Sequence, residues 1–148
     1  MSNPQAFTSE ALPLDEQVVL VTGSGRGLGA AIAKAFAPEG AALVINYRYS
    51  AEAAEELAEA VRARGGRAVA IEADVTDSRA VDAMFETAAA EFGAPVSTVV
   101  NNALADFSFN GDERQPADEI DYSDFAEQFR GSVEGAVNTI QAAMHGFR

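Results

Sequence analysis

A run of four apolar residues that leads into a glycine-rich turn constrains this chain more than any other feature. The run is Val18-Val19-Leu20-Val21, and the turn is Thr22-Gly23-Ser24-Gly25-Arg26-Gly27-Leu28-Gly29. The run predicts a buried strand, and the apolar spacing after the turn predicts a helix. Because every second residue of the turn lacks a Cβ atom, the chain can turn sharply and its N–H groups can surround a phosphate. The stretch therefore predicts an anion-binding site between a strand and a helix.

The glycine spacing also matches the general dinucleotide-binding fingerprint, in which two glycines and a third small residue occupy fixed positions. Gly25, Gly27 and Ala30 fill those positions. A turn whose glycines serve only the fold is the alternative that this motif leaves open. A nucleoside-triphosphate site is disfavoured, because no Gly-Lys-Ser or Gly-Lys-Thr follows the glycines.

Composition argues against several classes of function. A length of 148 residues suits one domain, and the formal net charge of −13 argues against nucleic acid or an anionic membrane surface as a partner. The chain has no cysteine for disulfide or thiolate chemistry, and its single histidine, His145, expected in the last turn of a helix, argues against a histidine-rich metal site. No apolar run approaches the roughly 18 residues of a membrane span, so a soluble cytoplasmic protein is expected.

Strand and helix patterns alternate along the chain. Apolar runs predict strands at residues 18–21, 42–46, 67–72 and 96–101, and amphipathic spacing predicts a helix after each. Short connections predict an α/β fold, namely a Rossmann-type doubly wound parallel sheet with three α/β/α layers, of which the first four strands are present. Residues 1–16 lack a periodic pattern and are expected to form a mobile arm before a dinucleotide-binding domain at residues 17–148.

Polar and glycine-rich residues follow each predicted strand. They are the turn at residues 23–29, Tyr47-Arg48, Asp74-Val75 and Asn101-Asn102-Ala103. Ligands of doubly wound sheets bind beyond the carboxyl ends of the strands. We therefore expect these four corners to line one crevice.

The residues after the second strand indicate which dinucleotide is preferred. NAD-binding domains usually place an acidic residue there, about 20 residues after the glycines, to hold the ribose 2′-hydroxyl. This chain has Tyr47 and Arg48 instead, and Arg26 lies inside the turn. A guanidinium binds a 2′-phosphate and a carboxylate repels it, so NADP(H) is favoured over NAD(H). The alternative is that both arginines are ordinary surface residues.

Together these stretches resemble classical members of the short-chain dehydrogenase/reductase family over residues 17–148. Thr22-Gly23-x-x-x-Gly27-x-Gly29 is similar to the family's pyrophosphate turn, Asp74-Val75 to its adenine contact, and Asn101-Asn102-Ala103 to its Asn-Asn-Ala-Gly element. The resemblance implies that the cofactor contacts these motifs and the end of the second strand. The residues implied are Gly23, Ser24, Gly25, Arg26, Gly27, Leu28, Gly29, Tyr47, Arg48, Asp74, Val75, Asn102 and Ala103.

Within this family, Val44-Ile45-Asn46-Tyr47-Arg48 and the alanine-rich helix after it are most similar to the 3-oxoacyl-acyl-carrier-protein reductases. That resemblance implies an enzyme of fatty acid metabolism that uses NADPH to reduce a carbonyl, on a small-molecule or acyl-carrier-bound substrate. In the family, a tyrosine donates the proton, a lysine lowers the pKa of that tyrosine, and a serine orients the substrate oxygen.

The sequence departs from the family pattern at three places. Leu104 replaces the glycine of the Asn-Asn-Ala-Gly element and is expected to narrow the crevice or to change the turn. Ser132 occupies the position of the catalytic asparagine, and Asn138 would lie on another face of a regular helix. No tyrosine is followed by lysine four residues later, so the family's acid/base pair is missing from these 148 residues.

Two hypotheses account for the missing pair. In the first, the chain is the N-terminal part of a longer carbonyl reductase and is inactive by itself, because the segments with the catalytic serine, tyrosine and lysine lie beyond it. In the second, it is a non-catalytic half-domain that binds a dinucleotide or dimerises.

Two further features bear on partners. The last helix carries an apolar stripe that predicts a homodimer or homotetramer through this helix; its members are Phe125, Phe129, Val133, Ala136, Val137, Ile140 and Met144. Residues 105–120, with Phe107 and Phe109, are longer than a typical connection. A substrate-side loop, an oligomer contact and an ordinary surface loop all remain open for that stretch.

Overall fold

Four parallel strands form the centre of the structure, a computed structural model that describes residues 12–104 and 116–146. The strands are β1 (Val18–Val21), β2 (Ala42–Tyr47), β3 (Arg67–Glu72) and β4 (Thr98–Val100). Their spatial order is β3-β2-β1-β4, and Val19 of β1 lies opposite both Leu43 and Thr98. The predicted doubly wound parallel sheet is confirmed. β4 is shorter than the predicted stretch 96–101, and its register with β1 ends at Val21, where the glycine turn begins.

Helices cover both faces of this sheet. Along the chain the helices are α1 (Gly27–Phe36), α2 (Ala51–Arg62), α3 (Ser78–Phe92), α4 (Tyr122–Phe129) and α5 (Gly135–Gly146), of which α1, α2, α3 and α5 pack on the sheet. Val19 and Val21 of β1 point into the core that α1 and α2 cover. Val18 and Leu20 point into the core that α3 and α5 cover. Burial on both faces explains why the strand reads as a continuous apolar run and not as an alternation.

The last helical segment is not the single regular helix that the apolar stripe predicts. A π-turn at Arg130–Glu134 separates α4 from α5. The Ser132 hydroxyl donates to the Gln128 carbonyl at 2.5 Å, and bonds of this kind compete with the helical ladder. The predicted position of Asn138 relative to Ser132 assumed 100° per residue, which does not hold through a π-turn. His145 does lie in the last turn of α5, as predicted.

The chain before β1 is described from residue 12, so residues 1–11 of the predicted arm lie outside the described residues. Leu14–Glu16 form a 3₁₀ turn. Arg67 donates through Nη2 to the main-chain oxygen of Asp15 at 2.8 Å and of Gly40 at 3.3 Å. The described end of the arm is therefore bonded to the domain. Residues 105–115, which include Phe107 and Phe109, also lie outside the described residues.

None of the helices within residues 12–104 and 116–146 has the length and apolar character needed to cross a membrane.

Candidate cofactor site

A crevice of about 1080 Å³ lies beyond the carboxyl ends of the four strands. Its size is in the range of small-molecule and cofactor sites. The glycine turn, the end of β2, the residues after β3 and the residues after β4 all contribute to its walls. Every cofactor contact implied by the family resemblance lines the crevice except Ser24 and Gly25. The sheet topology therefore brings the four predicted corners together.

The turn between β1 and α1 needs glycine at several positions for different reasons. A Cβ atom on Gly29 would collide with the Gly23 carbonyl and would lie 2.6 Å from Nδ2 of Asn102. A Cβ atom on Gly25 would collide with the hydroxyl of Ser50. Gly27 has φ of +58° and open space around it. Gly25 and Gly29 thus permit close packing, whereas Gly27 permits the left-handed conformation that starts α1.

Ser24 is placed inside the fold. Its side chain is fully buried, and its hydroxyl donates to the Val21 carbonyl at 2.7 Å. Its N–H donates to the main-chain oxygen of Asn46 at 2.8 Å, and the Gly23 N–H donates to Oδ1 of the same asparagine at 3.0 Å. Two N–H groups of the turn are therefore bonded to β2. The first turn of α1 begins at Gly27, and helix geometry leaves its N–H groups without helical acceptors, suited to a phosphate.

Thr22 and Asn102 fasten the turn to the end of β4. The Thr22 hydroxyl, 1% exposed, accepts the N–H groups of Asn102 at 2.9 Å and of Ala103 at 3.0 Å. Nδ2 of Asn102 donates to the carbonyls of Thr22 at 3.0 Å and Gly23 at 3.2 Å. The Asn-Asn-Ala element thus stabilises the phosphate turn and also lines the crevice.

Arg48 and Asp74 form an ion pair on the wall formed by β2 and β3. Nε of Arg48 lies 3.0 Å from Oδ2 of Asp74, and the guanidinium carbon lies 4.6 Å from the centre of the Tyr49 ring. Both side chains are partly exposed to the crevice. Arg26, exposed at the N-terminus of α1, lines the same crevice. The site therefore holds two guanidinium groups, and Tyr47 occupies the position where NAD-binding domains usually have a carboxylate.

Asp74 is held as a carboxylate. Burial raises its pKa, but the N–H and hydroxyl of Thr76, at 2.9 and 2.7 Å, and the charges of Arg48 and Arg130 outweigh that effect, so the pKa is lowered overall. Arg130 lies in the π-turn and was not among the residues singled out from the sequence. Its influence on Asp74 depends on how the last helices fold back over the sheet, which no local pattern reveals.

The departures at Leu104 and Ser132, and Asn138 near the second of them, occupy different places. Leu104 lines the crevice with half of its surface exposed. Ser132 is exposed, and its hydroxyl is bonded within its own helix. Nδ2 of Asn138 donates to the Val75 carbonyl at 2.9 Å, and a Cβ atom on Gly135 would lie 2.6 Å from Val75. Of the two residues on the last helices, Asn138 is therefore the one joined to a wall of the crevice.

Asn46 and Thr22 are the positioning residues that reasoning from the sequence did not single out as site residues. A polar residue at the end of an apolar strand was the available signal for Asn46. Its buried side chain contacts residues that lie 23 to 27 positions away. Those contacts exist only once the strands have paired.

Comparison with known proteins identifies relatives of this chain. Residues 17–148 match the family described as short chain dehydrogenase. A hydroxynaphthalene reductase from Aspergillus fumigatus is 39% identical over 122 residues, which are 82% of this chain and 42% of that protein. Glucose 1-dehydrogenase 2 from Bacillus subtilis is 34% identical over 132 residues, which are 89% of this chain and 49% of that protein.

Solved structures show the same likeness. A short-chain dehydrogenase from Burkholderia cenocepacia in complex with NADP superposes with a TM-score of 0.76 at 35% identity, covering 91% of this chain and 52% of that one. A dehydrogenase/reductase from Sinorhizobium meliloti gives a TM-score of 0.77 at 33% identity, covering 88% of this chain and 49% of that one. The chain spans about half or less of the length of these relatives. By its fold, its crevice and its matched residues 17–148, the chain belongs to the short-chain dehydrogenase family.

Proposed function

We propose that this chain is the cofactor-binding part of an oxidoreductase that uses NADP(H) to reduce a ketone to an alcohol. The observation that carries the proposal is a pair of guanidinium groups in the crevice, Arg26 at the start of α1 and Arg48 after β2. The β2 strand itself ends in Tyr47 and not in an acid. Such a site favours a ribose that carries a 2′-phosphate. The NADP complex of the Burkholderia cenocepacia relative supports the same cofactor class.

The residues present fit a dinucleotide along the whole crevice. The N–H groups of the first turn of α1 would hold the diphosphate, and Gly27, where a Cβ atom would face open space, leaves it room. Arg26 and Arg48 would hold the 2′-phosphate. The Asp74 carboxylate would accept a hydrogen bond from the adenine amine. Asn102 and Ala103 would line the half of the crevice that receives the nicotinamide ribose.

In the proposed reaction the bound cofactor supplies a hydride from its nicotinamide. The residues of this chain bind and orient that cofactor. They also narrow the reacting end of the crevice, where Leu104 places a side chain. No tyrosine among the 148 residues has a lysine four residues later, so we assign no proton transfer to these residues. The substrate class that we propose is a 3-oxoacyl thioester or a similar ketone, on the similarity of Val44-Ile45-Asn46-Tyr47-Arg48 to reductases of that class.

An apolar stripe on the last helices supports a second part of the proposal, assembly into a homodimer or homotetramer. Six of its side chains are about half exposed or more: Phe125, Phe129, Val133, Val137, Ile140 and Met144. Exposed apolar side chains that recur along one helical segment are typical of an interface.

Calorimetric titration of the chain with NADP⁺ and with NAD⁺ tests the cofactor. We expect measurable binding of both and tighter binding of NADP⁺. Oxidation of NADPH by the full-length protein in the presence of a 3-oxoacyl thioester tests the substrate class. Dinucleotide binding without turnover on any ketone would favour the non-catalytic half-domain.

A further inference from the structure

We infer that Asn46 is a positioning residue for the cofactor, because its carboxamide holds the glycine turn in the shape that presents the first turn of α1 to a diphosphate. The inference rests on the proposed function, since it concerns the same crevice. Asn46 is 1% exposed and is the last fully buried residue of β2, after four apolar residues. Its polarity at that position therefore needs an explanation.

The side chain of Asn46 links β2 to two other parts of the site. Its Oδ1 accepts the N–H of Gly23, after β1, at 3.0 Å. Its Nδ2 donates to the carbonyls of Ala73 at 3.1 Å and Ile71 at 3.4 Å, at the end of β3. Its main-chain oxygen accepts the Ser24 N–H at 2.8 Å. One residue thus fixes the start of the phosphate turn to the segment that carries Asp74.

The contacts require a group that accepts on one side and donates on the other. A carboxamide meets that requirement, whereas an apolar side chain of similar size would leave the Gly23 N–H and the Ala73 carbonyl without their partner. A carboxylate would turn an acceptor toward two carbonyl oxygens. Because the site is buried, each lost partner weakens the local structure.

The expected effect of losing Asn46 differs from that of losing Arg48. The Gly23 and Ser24 N–H groups are already bonded to Asn46, so a diphosphate would depend on the N–H groups of the first turn of α1. If the turn relaxes, those groups move away from their common target. The diphosphate is present in both NADP⁺ and NAD⁺, so affinity for both should fall by the same factor. Loss of a guanidinium should affect NADP⁺ alone.

Asn46→Asp tests this inference through its pH dependence. At about pH 8.5 the introduced carboxylate cannot donate, and we expect binding of both dinucleotides to be weaker than in the wild type by about tenfold or more. Burial raises the pKa of such a carboxyl, so we expect that lowering the pH to about 5.5 increases its protonated fraction. A protonated carboxyl donates and accepts as the carboxamide does, and the affinity should return toward the wild-type value.

We divide the dissociation constant of the variant by that of the wild type at each pH. This ratio cancels the effects of groups that titrate in both proteins. Besides the cofactor itself, the titratable and charged groups that line the crevice around Asn46 are Arg26, Tyr47, Arg48, Tyr49 and Asp74, all present in both proteins. Gln141→Glu is the matched control, because it converts an exposed amide of α5 into a carboxyl away from the crevice. Its ratio should stay near one throughout.

Asn46→Ala removes the carboxamide without adding a charge and leaves space that water can enter. We expect it to weaken both dinucleotides equally at every pH, and thermal unfolding in the same buffers checks that each variant is folded. A flat ratio near one for Asn46→Asp, or wild-type affinity for Asn46→Ala, would overturn the inference. If the wild-type chain binds neither dinucleotide, both the inference and the proposed function fail, and this is known before any variant is measured.

Discussion

Arg48 and Asp74 face each other at 3.0 Å, Nε to Oδ2, across the gap between the end of β2 and the segment after β3. The sequence predicts a 2′-phosphate contact for Arg48, and the family resemblance implies an adenine contact for Asp74. Their contact means that the groups assigned to the two ends of an adenosine 2′-phosphate are already joined. Substitution of either residue therefore changes the electrostatic surroundings of the other.

Arg48→Ala should weaken NADP⁺ binding by roughly 1.5–3 kcal/mol, the range for a hydrogen bond to a charged group, and leave NAD⁺ binding nearly unchanged. The Asp74 carboxylate, no longer paired with Arg48, would add repulsion of the 2′-phosphate in the same direction. Calorimetric titration of each variant with both dinucleotides measures the two losses. Arg64→Ala is the matched control, because Arg64 is exposed and is not among the residues that line the crevice. Equal losses for both dinucleotides would contradict the role of Arg48.

Asp74 should make the fold sensitive to acid. Its pKa in the folded chain is lowered from the model-compound value of 3.8. The folded state therefore binds fewer protons than the unfolded state in this region of pH, and the stabilisation is present above about pH 4 and is lost as pH falls through the lowered pKa. Asp74→Asn should flatten the dependence of the melting temperature on pH between about pH 5 and about pH 3. Asp82→Asn, at an exposed position of α3, is the control for the change of aspartate to asparagine.

Gly29→Ala should abolish binding of both dinucleotides, because its Cβ atom would meet the Gly23 carbonyl and Nδ2 of Asn102. The turn and the Asn-Asn-Ala element would have to separate to admit the methyl group. Gly93→Ala is the control, because it makes the same chemical change at a different place. Gly93 ends α3 with φ of +69° and has open space around it. The strain of about 1–2 kcal/mol at Gly93 should lower the melting temperature without changing dinucleotide affinity. Normal binding by the Gly29 variant would show that the turn yields more easily than its packing indicates.

Charges placed on the apolar stripe should disrupt assembly. Val137→Glu and Ile140→Glu together replace two half-exposed apolar side chains of α5 by carboxylates. If the stripe is buried between copies of the chain, desolvation of these carboxylates opposes association. Sedimentation velocity should then show a smaller species for the double variant, while Ala60→Glu, at an exposed position of α2 on the other face of the sheet, keeps the wild-type size. A wild-type chain that sediments as a monomer would refute the assembly proposal.

The parts of the fold that were predictable from sequence are those governed by burial. Continuous apolar runs such as 18–21 predict strands covered on both faces, and the glycine turn fixes where α1 begins. Contacts between side chains distant in sequence were not predictable. Asn46 finds its partners on the turn after β1 and at the end of β3. The π-turn at Arg130–Glu134 was not predictable either, because no local pattern distinguishes it from a regular helix. Periodicity in a sequence shows only which face of a helix or strand is apolar. It therefore reveals neither the contacts of Asn46 nor the π-turn.

The hydrogen bonds of Thr22 have a consequence for the kinetics of binding. This residue directly follows the fully buried Val21, and its hydroxyl already accepts two N–H groups from the end of β4. These bonds hold the start of the phosphate turn against the core strand, so the cost of ordering it falls on folding and not on association. A dinucleotide that reaches the crevice should find its phosphate ligands in place, and its association rate should depend on encounter and charge more than on rearrangement of the turn.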